Sequence, residues 1–264
     1  LEEQLLNYIG VNTPILFSEE LTDLAGGKNK IGKIFLKRTD LHHDSSHKPV
    51  NAFSSCYFAK HILKVKRIIT ETGASMNARA VAAACAKLGL ECEVHIGAVD
   101  EEKVNLNRNI TELYGAKIVV VHDSTKTLLP AMASALRSWQ SSPDSMYVVG
   151  SVAGPHPYPQ MVRTWASIIG RIAKKQFKQI TGSVPSTLFA VCGGGSNLMS
   201  MAYPLLKERT SIFAVESGGD GIKTGRHGAT ILGGGKMGIL LGMKSKVVMH
   251  SSQIAESITE ASGL

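Results

Sequence analysis

Short apolar runs alternate with longer segments of helical periodicity along most of this chain. Runs rich in β-branched and other apolar residues predict strands, at residues 34–37, 67–70, 92–96, 117–121, 146–149, 187–191 and 211–215. Apolar positions that recur every three or four residues predict the intervening helices, at residues 51–63, 77–88, 101–113, 128–139, 161–179 and directly after Ser196. The strands are almost continuously apolar, which is typical of parallel sheets that helices cover on both faces.

The order of these elements predicts the fold class and the place of a ligand. Strands that alternate with helices favour an α/β protein with parallel sheets. In such folds, ligands bind at the carboxyl ends of the strands. The Lys48 segment, Glu71 and the glycines at 193–195 all lie near predicted strand-to-helix transitions. We therefore expect them to line one crevice.

Length and composition place few limits on function. The chain has 264 residues, enough for one large α/β domain or two small ones. Apolar residues make up 44% and charged residues 19%, as in soluble proteins with a buried core. Because no apolar run reaches about 18 residues, we expect no membrane span. The N-terminal segment lacks the basic and apolar regions of a signal peptide, so we expect a cytoplasmic protein.

Cysteine spacing and charge exclude two further classes of function. The cysteines form no Cys-x-x-Cys pair, so we expect reduced, mostly buried thiols rather than a zinc site or a redox motif. The formal charge is +8, but the basic residues are scattered, and their small clusters are typical of solvated helix faces. We therefore expect no nucleic-acid partner. The positive excess favours an anionic cofactor or substrate, or an acidic partner.

A glycine-rich turn and a lysine carry the candidate chemistry. Gly193, Gly194, Gly195 and Ser196 follow a predicted strand and precede a helix. Such a turn lets backbone N–H groups, a hydroxyl and the positive end of a helix converge on a phosphate. A lysine such as Lys48 can form a Schiff base with a carbonyl on the phosphorylated ligand. The combination indicates pyridoxal phosphate.

Two other segments have more ordinary interpretations. The loop at residues 40–49 contains His42, His43 and His47, and Asp40 or Asp44 could complete a metal site. Its spacing matches no familiar metal motif, so we favour a mobile polar loop without metal. The glycines at 233–235 lack a following Ser or Thr, which favours a surface turn over a second phosphate site.

Motifs in a fixed order suggest a family. They lie between about residue 13 and the C-terminus, at residues 35–41, 47–52, 71–74, 150–159, 193–197, 215–216 and 224–227. In this combination the chain resembles the β-subunit of tryptophan synthase, a fold-type-II pyridoxal-phosphate enzyme. The Gly-Pro-His-Pro-Tyr-Pro run at residues 154–159 and the glycine turn are the most specific parts of the match.

The resemblance implies a role for each motif residue. Lys48 takes the position of the lysine that bonds to the cofactor, and Glu71 that of the catalytic acid and base. Substrate-binding positions, mainly for the carboxylate, are Thr72, Gly73, Ala74, Ser75 and Asn77. Cofactor-binding positions are His47, Lys48, Gly193, Gly194, Gly195, Ser196, Asn197 and Glu216. From the residues alone, a surface Lys48 paired with Asp44 and a Glu71 that only caps a helix remain open.

The resemblance also implies an architecture and a reaction. It predicts two open parallel-sheet lobes with helices on both faces, the C-terminal portion of the fold being missing. The larger cofactor lobe would comprise residues 1–50 and 155–264, and the smaller mobile lobe residues 51–154. The expected reaction makes L-tryptophan from L-serine and indole. A homodimer and an α-type partner subunit are expected on the same basis.

One loop departs from the family's pattern. Ser75, Met76, Asn77 and Ala78 stand where the family has Gly-Gln-His-Gly. Met76 cannot supply the hydrogen bond that the family's glutamine gives to the cofactor ring, and Asn77 is a candidate replacement. Two alternatives therefore stay open, a non-catalytic subunit that binds an α-type partner and a related enzyme with a different nucleophile.

Overall fold

The secondary structure follows the predicted alternation of strands and helices. The computed structural model describes residues 1–27, 29, 32–250, 253–255 and 257–259. The strands described are β1 (Ile15–Phe17), β2 (Phe35–Lys37), β3 (Arg67–Thr72), β4 (Glu91–Gly97), β5 (Lys117–Val121), β6 (Ser145–Val148), β7 (Thr187–Val191), β8 (Ser211–Val215), β9 (Lys236–Leu240), β10 (Met243–Val247), β11 (Met249–His250) and β12 (Gln253–Ile254).

Helices follow most of the strands. They are α1 (Glu2–Gln4), α2 (Glu19–Leu24), α3 (Lys48–Phe58), α4 (Met76–Leu88), α5 (Ala98–Glu101), α6 (Asn105–Leu113), α7 (Leu128–Gln140), α8 (Tyr158–Ala166), α9 (Ile168–Thr181) and α10 (Ser196–Ala202). The segments Leu5–Ile9 and Ala59–Leu63 extend α1 and α3 as single π-helical turns. None of the helices in the described ranges combines the length and hydropathy that a membrane span needs.

A parallel sheet in the order β5-β4-β3-β6 holds the larger part of the core. Ile68 and its neighbours on one face pack with apolar residues of α3 and α4. Ile69 and Tyr147, paired across β3 and β6, pack on the other face against Ala135 of α7. Both faces are buried, which explains why these strands are so continuously apolar. The predicted parallel α/β fold is confirmed.

The second parallel sheet contains β7 and β8 alone in the described residues. The helix α10 packs against β7 on one side, where Ala190 is buried. On the opposite side, Phe189 and Phe213 face each other across the two strands with their ring centroids 5.0 Å apart. This sheet brings the glycine turn to the end of β7. The proposed division into lobes at residues 50 and 154 stays a prediction.

Several elements differ from the sequence prediction. The strand predicted at 34–37 is β2, and it pairs antiparallel with β1 instead of joining a parallel sheet. The hairpin of β9 and β10 was not predicted, although Leu241 and Gly242 at its turn have the positive φ angles, 46° and 79°, that two-residue hairpins favour. These two residues carry a weaker turn signal than Asn-Gly.

Two predicted helices differ from the structure. The helix predicted at 101–113 begins only at Asn105, as α6, because residues 102–104 form tight turns that separate it from α5. The helix predicted at 161–179 divides into α8 and α9 at Ser167. The Ser167 hydroxyl donates a hydrogen bond of 2.8 Å to the Thr164 carbonyl and accepts one of 2.7 Å from Arg171. Serine side chains that bond the preceding turn commonly bend helices.

Candidate active site

His47 and Ser196 bring the two halves of the candidate site together. The imidazole Nε2 of His47 lies 3.0 Å from Ser196 Oγ, although the two residues are 149 positions apart. Ser196 is the first residue of α10 and follows the glycine turn, while Lys48 is the first residue of α3. The hydrogen bond therefore places the backbone of Lys48 next to the glycine turn, which agrees with the prediction of one shared crevice.

The environment of Lys48 favours a neutral amine. Burial lowers the pKa of Lys48, and the Glu71 carboxylate opposes this effect. Burial also lowers the pKa of His47 to about 3, so that its imidazole is uncharged at neutral pH. A desolvated lysine with an accessible neutral form is what Schiff-base chemistry requires.

Asp44 does not pair with Lys48. Its carboxylate binds Arg79 of α4, whose guanidinium also donates to the Asp44 carbonyl at 3.1 Å. Only 3% of the Asp44 side chain is exposed, which leaves it facing α4. The alternative of a surface Lys48 paired with Asp44 is therefore wrong.

The glycine turn has the form of an anion site. Gly195 has a φ of 96°, which L-residues with a side chain rarely adopt. A Cβ at Gly194 would overlap the Ser151 hydroxyl, so the close approach of the glycine turn to the Ser151 loop requires glycine at this position. Among the described residues, the N–H groups of Gly193, Gly194 and Gly195 have no hydrogen-bond acceptor. Unpaired N–H groups and the Ser196 hydroxyl, at the start of a helix, fit the phosphate of pyridoxal phosphate.

Asn197 anchors this turn through its side chain. Its side-chain amide donates a hydrogen bond of 3.1 Å to the Val191 carbonyl, at the end of β7. That contact fixes the turn to the strand from which it emerges. The side chain of Asn197 therefore holds the predicted phosphate-binding turn in place.

A second loop with free N–H groups follows β3. Thr72 is the last residue of β3 and is buried, and Ser75 has a φ of 59° where α4 begins. Within the described structure, the N–H groups of Gly73, Ala74 and Ser75 have no acceptor. The loop thus has the form expected for a carboxylate-binding segment, although its ligand stays a prediction.

Glu71 is buried near the end of β3 and does not cap a helix. It is 5% exposed, and its Oε1 accepts a hydrogen bond of 3.3 Å from the Gly150 N–H. Burial raises the pKa of Glu71, and the neighbouring Tyr147 hydroxyl, the Gly150 N–H and Lys48 oppose this rise. A carboxyl group with a raised pKa suits general acid and base catalysis.

Asn77 has no free donor for a cofactor. Both hydrogens of its amide are used, one on Thr70 Oγ1 at 2.9 Å and one on the Glu71 carbonyl at 2.8 Å. The side chain also lies so close to Gly150 that a Cβ there would overlap it. Asn77 therefore fixes the end of β3, which does not favour its suggested role as a replacement for the family's glutamine; that role and substrate binding by Asn77 stay predictions.

Glu216 binds a turn of its own chain. Its carboxylate accepts hydrogen bonds from the N–H groups of Ile231, at 3.0 Å, and Leu232, at 2.9 Å. The glycines at 233–235 complete this turn, and Gly233 lies against the His227 ring. The carboxylate of Glu216 is therefore used to hold a loop, and direct cofactor binding by this residue stays a prediction. Ile231 and Leu232 are 57% and 77% exposed, so the prediction of a surface turn is confirmed.

The histidines of the loop at 40–49 contact separate partners. His42 Nδ1 lies 3.0 Å from the Ser46 carbonyl oxygen, and His43 Nε2 lies 3.2 Å from the Tyr8 hydroxyl. In the ranges that the structure describes, no group of three or more metal-binding side chains converges. The conceivable metal site in this loop is therefore not formed by these residues.

Sequence reasoning missed three residues around the site. Ser151 contacts the glycine turn, Arg79 holds the loop before Lys48, and Tyr147 lies beside Glu71. Tyr147 belongs to an apolar strand, where its ring alone accounts for its presence. Of the three, only Ser151 had a sequence signal, because it lies in the motif at residues 150–159, but no role was assigned to it.

Two solved structures of enzymes that act on amino acids have a fold similar to this chain's. A threonine deaminase from T.th. superposes with a TM-score of 0.64 and 21% identity over 84% of this chain and 65% of the deaminase. A serine racemase from Dictyostelium discoideum superposes with a TM-score of 0.63 and 16% identity over 82% of this chain and 63% of the racemase. At these identities the likeness establishes the fold only.

The family follows from the sequence. The family model described as pyridoxal-phosphate dependent enzyme matches residues 6–231. The chain belongs to this family, and the prediction of pyridoxal phosphate as cofactor is confirmed.

Curated relatives of this chain are tryptophan synthase beta chains. The tryptophan synthase beta chain of Methylobacterium nodulans is 40% identical over 100% of this chain and 64% of its own length. That of Pseudomonas syringae pv. tomato is 41% identical over 98% of this chain and 62% of its own length. The resemblance to the β-subunit of tryptophan synthase is confirmed. The chain spans less than two thirds of the length of these relatives.

Proposed function

We propose that this chain binds pyridoxal phosphate at Lys48 and makes L-tryptophan from L-serine and indole. The hydrogen bond between His47 and Ser196 carries the proposal, because it joins the lysine segment to the phosphate-type turn. The 40% identity to a tryptophan synthase beta chain supports the choice of substrates. An α-type partner, a homodimer and a cytoplasmic location are part of the same proposal.

The residues of the site divide the work among them. Pyridoxal phosphate, when bound, would supply an electron sink for bond changes next to the substrate amine. The N–H groups of Gly193–Gly195 and the Ser196 hydroxyl would hold its phosphate. The Lys48 amine would bond to its aldehyde, and the desolvation that lowers the pKa of Lys48 makes the neutral amine more accessible than in an exposed lysine.

The substrate would be held on the side of β3. The N–H groups of Gly73, Ala74 and Ser75 would bind the carboxylate of serine. Glu71, protonated more readily than an exposed glutamate, would give a proton to the departing hydroxyl and so release water. After that transfer, its negative charge would stabilise the indole as positive charge develops on its ring.

Tryptophan formation from serine and indole tests the proposal. The cofactor-loaded protein should form tryptophan, Lys48→Ala should form none, and Glu71→Gln should lose about 10²-fold or more of the rate. Lys175→Ala is the matched control, because Lys175 is exposed on α9. Wild-type protein that binds the cofactor but forms no tryptophan from serine and indole would contradict the proposed reaction.

Asn77 and Met76 favour a second candidate, a subunit that binds cofactor and partner without turnover. Asn77 has no free N–H for the cofactor ring, and Met76 contacts the Asn107 amide through its sulfur at 3.9 Å. This candidate predicts tight binding of an α-type subunit with no product from serine and indole. Measured turnover would rule it out.

A further inference from the structure

Two buried polar atoms near the end of β3 have no hydrogen bonds among the described residues. One is Oε2 of Glu71 and the other is the Tyr147 hydroxyl, and neither has a partner among the described residues. Tyr147 pairs with Ile69 across β6 and β3, and Glu71 lies two residues further along β3 on the same face of the sheet, next to Tyr147. Buried polar atoms without partners are unfavourable, and these two would satisfy each other if they paired.

The ring of Tyr147 is fixed by its neighbours. It is 2% exposed, with the Trp139 ring stacked on it at 6.0 Å and the Tyr158 ring edge-on at 5.9 Å. A phenylalanine would satisfy all of these contacts. Packing alone therefore does not account for the hydroxyl, and Glu71 is the polar group beside it.

We propose that Tyr147 is a positioning residue for Glu71. A small rotation of the carboxyl group lets the Tyr147 hydroxyl donate to Oε2 while the Gly150 N–H keeps Oε1. The two donors would then hold the carboxylate in one orientation and favour its ionised form. The importance of this hydrogen bond for catalysis rests on the proposed function, in which Glu71 acts as acid and base. The hydrogen bond itself does not depend on that function.

The groups that face Glu71 are few. Lys48 approaches from α3, Tyr147 from β6 and Tyr158 from α8. Lys48 and the Gly150 N–H remain in a Tyr147→Phe variant, so a change in the titration of Glu71 would report the lost hydroxyl. Tyr158→Phe is the matched control, because Tyr158 feels the charge of Glu71 without a hydrogen bond to it.

Infrared difference spectroscopy measures the titration directly. The carboxyl stretch of Glu71 is assigned in the cofactor-loaded protein by its loss in Glu71→Gln, and its pH midpoint is then followed in each variant. Tyr147→Phe should raise that midpoint by about one pH unit, a tenfold increase in proton affinity, while Tyr158→Phe should leave it nearly unchanged. Equal midpoints in Tyr147→Phe and the wild-type protein would overturn the inference.

A second measurement covers the case of a variant that folds poorly. In a double-mutant cycle of unfolding free energies, Tyr147→Phe should cost stability in the wild-type protein and much less in Glu71→Gln. Equal costs would overturn the inference. Neither measurement needs turnover, so the two proposals can fail separately. If only the proposed reaction is wrong, no tryptophan will form, but Tyr147→Phe will still shift the Glu71 midpoint and still show the coupling in unfolding free energy.

Discussion

Arg79 binds the buried carboxylate of Asp44 and thereby ties the loop before Lys48 to helix α4. The guanidinium also donates to the Asn107 side chain at 3.0 Å, so that one residue connects three segments. Since α4 begins directly after the loop at residues 73–75, this ion pair fixes the lysine segment relative to the proposed carboxylate site.

Removal of Arg79 should therefore be costly. Arg79→Met leaves the buried Asp44 carboxylate without its cation, and we expect a loss of about 3 kcal/mol in unfolding free energy. The control is Arg137→Met, because Arg137 and its partner Asp123 are 62% and 69% exposed and their pair should contribute below about 1 kcal/mol. Chemical denaturation of both variants measures the difference. Similar losses would contradict the structural role assigned to Arg79.

His47 should make the cofactor-free protein less stable in acid. Its pKa in the folded protein is lowered from 6.5 to about 3, so between these values the unfolded chain binds a proton that the folded chain does not. Stability should then fall with decreasing pH in this window, with a slope from His47 that approaches about 1.4 kcal/mol per pH unit. His47→Asn should remove this part of the slope, and the exposed His122→Asn should not. Denaturation midpoints at pH 4 to 6, roughly the middle of the window, would show it; parallel curves for His47→Asn and wild type would refute it.

The close contact between Gly194 and Ser151 predicts a specific rescue. In Gly194→Ala the new methyl group overlaps the Ser151 hydroxyl, and we expect destabilisation of about 1–3 kcal/mol together with weaker cofactor binding. Adding Ser151→Ala frees space and should restore part of both. Cofactor titration and denaturation of the single and double variants measure this coupling. Strictly additive effects would show that the two residues do not oppose each other.

Asn77→Ala should affect stability more than the cofactor. The change removes two buried hydrogen bonds, to Thr70 and to the Glu71 carbonyl, and should cost about 2 kcal/mol. The wavelength of the bound cofactor's visible absorption band should stay the same, because both hydrogens of the Asn77 amide are used within the protein. A shifted band with unchanged stability would restore the role that the sequence first suggested.

Much of the fold could be predicted from the sequence because the central strands are buried on both faces. Strands β3 to β8 are largely apolar and were located within one or two residues. The antiparallel hairpin of β9 and β10 was missed, because its strands are half exposed and mix polar with apolar residues. Helix breaks such as the one at Ser167 depend on hydrogen bonds that periodicity does not reveal.

The candidate site was predictable only where its chemistry lies in contiguous residues. The glycine turn and the lysine segment each form a local motif, and the structure joins them through His47 and Ser196. The role of Asn77 depends on tertiary contacts, as do the carboxylate of Glu216 and the hydroxyl of Tyr147. No local pattern distinguishes an amide that supports a strand from one that faces a ligand.

Reduction of the cofactor-loaded protein with borohydride, followed by peptide mass spectrometry, tests the central claim most directly. If Lys48 is the amine beside the phosphate turn, the reduced pyridoxyl phosphate group should be attached to the peptide that contains Lys48. Lys48→Ala should carry no such group, and Lys175→Ala should carry it as the wild-type protein does. A group attached to another lysine, or to none, would contradict the assignment of this site.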